Sequence, residues 1–285
     1  MPELPFLQVL AENLDVQLRG HEVAVVRLSS VSLLKTYEPP LDLLTGRAVR
    51  QVRRQGKLIL FDLAGDLSLI VHLMRDGRFR IGPSRSRGGK DLALALRFDD
   101  GRELQLVELG PKKRASVWLS RTDELARAEP LRDLGLDPFS YELAPERLHA
   151  MLAGERTQLK RFLTFQRYVT GIGNAYSDEI LWEGRLSPFA AASKATPAEA
   201  TILLGAIRTA LGRALEEHRA HFGETLPSKE PPELLRVHRH ADEPCPRCGT
   251  PLAQVAFAER ETYYCPSCQT GGKVYADRRM SRLLK

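Results

Sequence analysis

No stretch of this 285-residue chain is apolar for long enough to cross a bilayer. Its first residues, Met1-Pro2-Glu3-Leu4-Pro5, have neither the basic start nor the apolar run of a secretory leader. Both absences point to the cytoplasm and away from a membrane. Cysteine is scarce, with four residues, and a reducing compartment leaves them little use as disulfides. No cluster of His and Asp offers a metal ion an open position, which argues against metal-dependent hydrolysis.

What is present is globular: 43% hydrophobic and 27% charged residues, enough for about two domains and a small appendage. The net charge of +6, with a pI near 9.2, suits an acidic partner such as nucleic acid.

Residues 1 to about 131 read as one helix followed by strands. Phe6, Val9, Leu10, Leu14, Val16 and Leu18 recur mostly at helical spacing after Pro5. Val23–Leu28 is strand-like. Leu58–Phe61 and Leu69–Val71 flank the turn Ala64-Gly65-Asp66. Leu92–Phe98 and Leu104–Leu109 flank Asp99-Asp100-Gly101, and Val117–Leu119 closes the set. Short strands with turn signals predict a two-layer β-sandwich with a flanking helix, and Pro83 to Lys90 reads as a loop.

From 132 to 224 helical spacing takes over, with helices expected at Pro145–Leu152, Leu159–Val169, Ala175–Trp182 and Pro197–His218. Gly171-Ile172-Gly173-Asn174 precedes the third. It makes either a plain helix–helix turn or one whose backbone N–H groups face an anion at the next helix start. Residues 222–244 form a proline-bearing linker with a short strand expected at Leu234–Val237. A module at 235–270 and a basic tail at 271–285 complete an α+β multidomain chain.

Cys245-x-x-Cys248 and Cys265-x-x-Cys268 lie 16 residues apart. Two such pairs complete a tetrahedral zinc site with no open position, so one zinc folds a β-hairpin and performs no chemistry. Arg260 would lie on that hairpin, either as a surface residue or presenting its guanidinium to phosphate.

The chain start holds a second chemistry. Removal of Met1 would expose Pro2 as a secondary amine, and an α-amine titrates at about pH 8, below lysine. Unprotonated, it can attack a sugar carbon and form a Schiff base, with Glu3 beside it to move a proton. The same residues also make an ordinary chain start.

Together these pieces resemble the formamidopyrimidine-DNA glycosylase and endonuclease VIII repair enzymes over nearly the whole chain. Pro2-Glu3-Leu4-Pro5 resembles the N-terminal active site of that family. Arg53-Arg54-Gln55-Gly56-Lys57-Leu58 is similar to the strand bearing its essential lysine, and His72-Leu73 with Gly77 to its His-Leu-x-Met-x-Gly segment. Gln166 with Gly171-Ile172-Gly173-Asn174-x-Tyr176-x-x-Glu179 resembles its helix–two-turn–helix, and Arg260-x-Thr262-x-x-Cys265-x-x-Cys268-Gln269 its zinc finger.

The resemblance implies a monomeric bifunctional glycosylase and abasic-site lyase that flips damaged bases out of duplex DNA. In this reading Pro2, Glu3, Lys57 and Arg260 are catalytic. His72, Arg75, Lys112, Arg114, Lys160, Gly173, Asn174 and His238 contact DNA, and Cys245, Cys248, Cys265 and Cys268 bind zinc. Lys57 would also assist departure of the base. The chain departs from the family pattern where lesions are chosen. Phe6 follows Pro5 in place of an acid, Arg75 stands where a methionine fills the vacated stack, and His238 where a tyrosine is common. Lys112 and Arg114 replace an arginine and a phenylalanine wedge. These departures keep open a relative of altered specificity, or one that binds lesions or bent DNA without cutting.

Overall fold

The computed structural model describes residues 1–83, 89–257 and 260–275, with backbone alone at Phe257 and Arg260. The chain forms two compact units, residues 1–133 with 218–230, and residues 134–217 with 231–285. Among the described residues no helix is long and apolar enough to cross a membrane.

The first unit begins with α1 (Leu4–Leu18). Pro5 sits in its first turn, where a missing N–H breaks no helical bond. The Leu7 N–H donates to the Glu3 carbonyl at 3.0 Å, so the helix starts directly after Pro2 and Glu3 and holds them at its N-terminal end. Leu7, Leu10, Leu14 and Leu18 recur every three or four residues and are buried against the sandwich. Truncating Leu14 to alanine would cost about 2–5 kcal/mol through lost transfer energy and a cavity.

Eight antiparallel strands follow: β1 (Val23–Leu28), β2 (Val49–Gln55), β3 (Leu58–Leu63), β4 (Leu67–His72), β5 (Gly77–Pro83), β6 (Leu92–Phe98), β7 (Arg102–Glu108) and β8 (Ser116–Arg121). They form two four-stranded sheets, ordered β1-β6-β7-β5 and β2-β3-β4-β8. Phe61 of one sheet meets Phe79 of the other edge-to-face at 5.7 Å, inside the shared core. The β2–β3 connection is Gly56-Lys57, with Gln55 paired to Leu58 and Gly56 at φ +59°. A two-residue hairpin loop with glycine first matches the strand twist, and it carries Lys57 at its second position. Lys57 therefore lies on a turn and not within a strand.

The second unit holds α2 (Pro145–Ala153), α3 (Leu159–Leu163), α4 (Asn174–Glu183) and most of α5 (Pro197–Phe222). Its last part is a hairpin, β9 (Ala253–Phe257) with β10 (Arg260–Tyr264), followed by α6 (Pro266–Thr270). Two local expectations fail here. The helix expected over Leu159–Val169 stops at Leu163, where Gln166 begins to bond the turn that follows. The strand expected at Leu234–Val237 is absent, and Pro232–Leu234 forms a 3₁₀ turn. The N–H groups of Arg236 and Val237 donate to the Glu179 carboxylate and not to a strand partner. The loop expected at Pro83–Lys90 and the basic tail lie partly outside the described residues.

Candidate active site

Pro2 and Glu3 are buried at the mouth of α1, although Met1 is exposed. Lys57 is 6% exposed on its turn. Burial lowers the basicity of the Met1 amine, Glu3 opposes that, and Lys57 reinforces it, with smaller effects from Glu230 and Arg75. Burial likewise lowers the Lys57 ammonium, against the attraction of Glu3. An amine, a carboxylate and a lysine thus share one desolvated neighbourhood.

His72 ends β4 beside them. Burial, then the Lys57 charge, holds its imidazolium down to about 4, so the ring is neutral at pH 7. Its Nδ1 accepts from the Met74 N–H at 2.9 Å, which places the ring proton on Nε2 as a donor. The turn after His72 is tight: Met74 has φ +52° and the Gly77 N–H returns to the Leu73 carbonyl at 2.9 Å. A Cβ on Gly77 would meet that carbonyl oxygen at 2.4 Å, so the glycine of this segment is a steric requirement. Arg75 stands exposed on the turn.

Lys112 and Arg114 lie on the exposed loop after β7. Buried Glu108 shapes that loop, its Oε1 accepting from the N–H groups of Arg114 (2.6 Å) and Ala115 (2.8 Å). Lys113 ties it to Asp91 at 3.1 Å and to the Glu108 carbonyl. The Leu109 N–H donates to the Asp76 carbonyl at 3.1 Å, so the turn bearing Arg75 adjoins the loop bearing Lys112 and Arg114. Three cations share one basic edge.

The second unit assembles another group. Gln166 Oε1 accepts from the Gly171 N–H at 2.9 Å and its Nε2 donates to the Ile172 carbonyl at 2.8 Å. Gly171, at φ +85°, completes the turn, and Gly173 caps α4, with Asn174 as its first residue. Asn174 Nδ2 donates to the Glu261 carbonyl of β10 at 3.1 Å. Buried Lys160 donates to the same carbonyl and pairs with Asp178 at 2.7 Å, while the other Asp178 oxygen meets His238 Nδ1 at 2.8 Å. Lys160 and His238 are therefore both held by protein groups around Asp178. Glu179 accepts from three successive N–H groups, those of Arg236, Val237 and His238, each at 2.9 Å. The Arg260 side chain lies outside the described residues, and its backbone places it next to Glu261 on β10.

The four cysteine sulfurs lie within 4.8 Å of one another, with Cys248 at 3.5 Å from Cys265 and 3.4 Å from Cys268. Four thiolates around zinc at about 2.3 Å would stand about 3.8 Å apart, so the residues fit one tetrahedral ion. All four positions are filled by sulfur, and the ion is structural. Trp182 Nε1 donates to Cys245 Sγ at 3.3 Å, and Gln269 joins the Cys265 N–H to the Leu186 carbonyl.

Sequence reasoning missed Glu108, Asp178 and Glu230. Each acts on a partner reached only through folding, and neither periodicity nor spacing marks it.

Three family models match in order. The formamidopyrimidine-DNA glycosylase N-terminal domain covers residues 1–110, its H2TH domain 134–223, and the zinc finger found in FPG and IleRS 242–271. A formamidopyrimidine-DNA glycosylase of Roseiflexus sp. is 33% identical over 94% of this chain and all of its own length. One from Symbiobacterium thermophilum is 34% identical, covering 94% of this chain and 89% of its own. Among solved structures, a mutant Lactococcus lactis FPG in complex with Fapy-dG-containing DNA matches with a TM-score of 0.84 at 25% identity, over 94% of this chain and 100% of that one.

Proposed function

This chain belongs to the formamidopyrimidine-DNA glycosylase family, and from that premise we propose that it joins base removal to strand cleavage through its N-terminal proline. It is a DNA N-glycosylase of base-excision repair, its partner is damaged DNA, and it carries one structural zinc.

With Met1 removed, the Pro2 nitrogen attacks the sugar C1′ of an extruded nucleotide. The bond from C1′ to the base breaks, and the base departs with the electron pair and a proton that Lys57 helps supply. Glu3 then protonates the ring oxygen as the sugar opens, leaving an iminium between Pro2 and C1′. The iminium acidifies the adjacent C–H, and successive eliminations expel the 3′ and then the 5′ phosphate. The observation that carries this reading is the burial of Pro2 and Glu3 beside Lys57, where desolvation favours the neutral, nucleophilic form of an N-terminal amine.

Neutral His72, with its proton on Nε2, offers a phosphate a directed donor that does not titrate near pH 7. Asn174, Gly173 and Arg260 supply further phosphate contacts on the second unit, with Lys160 and His238 beside them. Arg75 and Arg114 enter the vacated stack, where guanidinium stacking replaces an apolar wedge and adds charge, and the Lys112 ammonium lies beside them against the phosphate backbone. The protein acts as a monomer on cytoplasmic DNA.

The test is a panel of duplexes, each with one defined lesion, followed by borohydride reduction on a duplex with an abasic site. Base release and a covalent adduct are expected. Tight binding with neither product would leave a lesion-binding protein without lyase chemistry.

A further inference from the structure

Glu230 belongs to no motif of the sequence and lies in a proline-bearing segment, between Pro227 and Pro231. In the structure it is tied to the chain start by an unbroken run of contacts. Phe6, on the first turn of α1, meets Phe222 edge-to-face at 6.0 Å. Phe222 packs on the His218 ring at 5.9 Å, and fully buried His218 places Nε2 at 3.1 Å from Glu230 Oε1. The other carboxylate oxygen, Oε2, is buried and has no hydrogen-bond partner among the described residues. Its charge reaches both the N-terminal amine and Arg78.

A buried carboxylate oxygen without a donor is costly, and an N–H supplied by a ligand would offset that cost. The chemistry of a nucleotide in DNA narrows that donor. Phosphate would repel the carboxylate. Deoxyribose presents its ring oxygen, an acceptor, and no hydroxyl within the strand. Only the base carries N–H groups. We propose that Glu230 is a specificity-determining residue whose Oε2 accepts an N–H from the extruded base, while His218 fixes the carboxylate through Oε1. The pocket then favours lesions that turn an amide or amine N–H edge to it, as ring-opened and oxidised guanines do. It disfavours edges made only of acceptors. This rests on the glycosylase and lyase reading above.

The experiment compares two rates on one duplex sequence, for wild-type protein, Glu230→Gln and Glu230→Ala. One is single-turnover release of a formamidopyrimidine-guanine. The other is borohydride trapping at a preformed abasic site, which has no base to read. The ratio of release to trapping should fall about tenfold or more in Glu230→Ala, the effect of removing a charged acceptor, and by less in Glu230→Gln, which keeps one oxygen acceptor. Equal falls in both rates would assign Glu230 a structural or amine-tuning role, and an unchanged ratio would leave it no role in reading the base. Either result overturns the inference. Glu230→Gln keeps the shape of the side chain and decides the matter if the alanine variant does not fold. Wild-type protein that neither releases nor traps would instead overturn the parent reading.

Discussion

Both units bury ionisable side chains, and those around the chain start are held differently from those of the helical unit. In the helical unit the buried acids are spent on structure. Glu179 gives both oxygens to three backbone N–H groups, and Asp178 divides its oxygens between Lys160 and His238. Burial still lifts Glu179 above the usual carboxylate range, with those donors pulling the other way. Glu108 of the N-terminal unit is spent in the same way, but around the chain start burial exceeds pairing. Lys57 and His72 are both pushed toward their neutral forms, and one oxygen of Glu230 has no donor among the described residues. Groups held by several partners keep a shape, and in our proposal the groups around the chain start keep a proton or a lone pair for the substrate.

The sharpest way to break this contrast is to change an acid in each unit. Glu3→Gln should slow base excision by about 10²–10⁴-fold, the range for removing a positioned acid–base group, with little change in melting temperature. Single-turnover rates and thermal melts on the same preparation check both halves. Glu179→Ala should do the reverse. It strands three N–H donors, at a cost of about 3 kcal/mol or more, read as a lower unfolding midpoint in urea. If Glu179→Ala unfolds no more readily than Glu3→Gln, the contrast fails.

His72 gives a smaller, pH-dependent effect. Its folded value is about 4 against about 6.5 in an unfolded chain. The unfolded state therefore takes up the proton first as pH falls. Stability from the neutral ring is complete above about pH 6.5 and is lost as pH drops through 4. Urea unfolding of wild type and His72→Gln should diverge across that window and run parallel above it. An imidazole NMR titration should find His72 neutral, with its proton on Nε2, at pH 6. Smallest is the basic edge. Lys112→Ala should reduce the slope of log affinity against log salt by about one and weaken binding to all sequences alike. A change confined to one opposite base would instead make Lys112 a reader of that base.

Much of this fold was legible because apolar period and turn chemistry agree. The leucines of α1, the β3–β4 hairpin with its Ala64-Gly65-Asp66 turn, and the β6–β7 hairpin all stand where the pattern puts them. The paired cysteines announce zinc by spacing alone. β2 was harder to read because only Val49 and Val52 face the core in an otherwise polar strand, and β5 because Arg78 and Arg80 alternate with Phe79 and Ile81. The absent strand at Leu234–Val237 has a plain cause, since Glu179, nearly sixty residues earlier, takes the N–H groups a sheet would have used. For the site, sequence supplied Pro2, Glu3, Lys57 and His72, and folding gathers them in one unit. It could not supply the burial of Lys57, the Asp178 pairing of Lys160 and His238, or the carboxylates Glu108 and Glu230. Those depend on which distant backbone or side chain arrives beside them.

The central claim is that one nitrogen at the chain start attacks the sugar. After borohydride reduction on an abasic duplex, proteolysis and mass spectrometry locate the adduct. The account predicts a peptide that begins at Pro2 and carries the reduced sugar on its terminal nitrogen. An adduct on Lys57 or another lysine, or a fully bound protein that begins at Pro2 and forms no adduct, would contradict it.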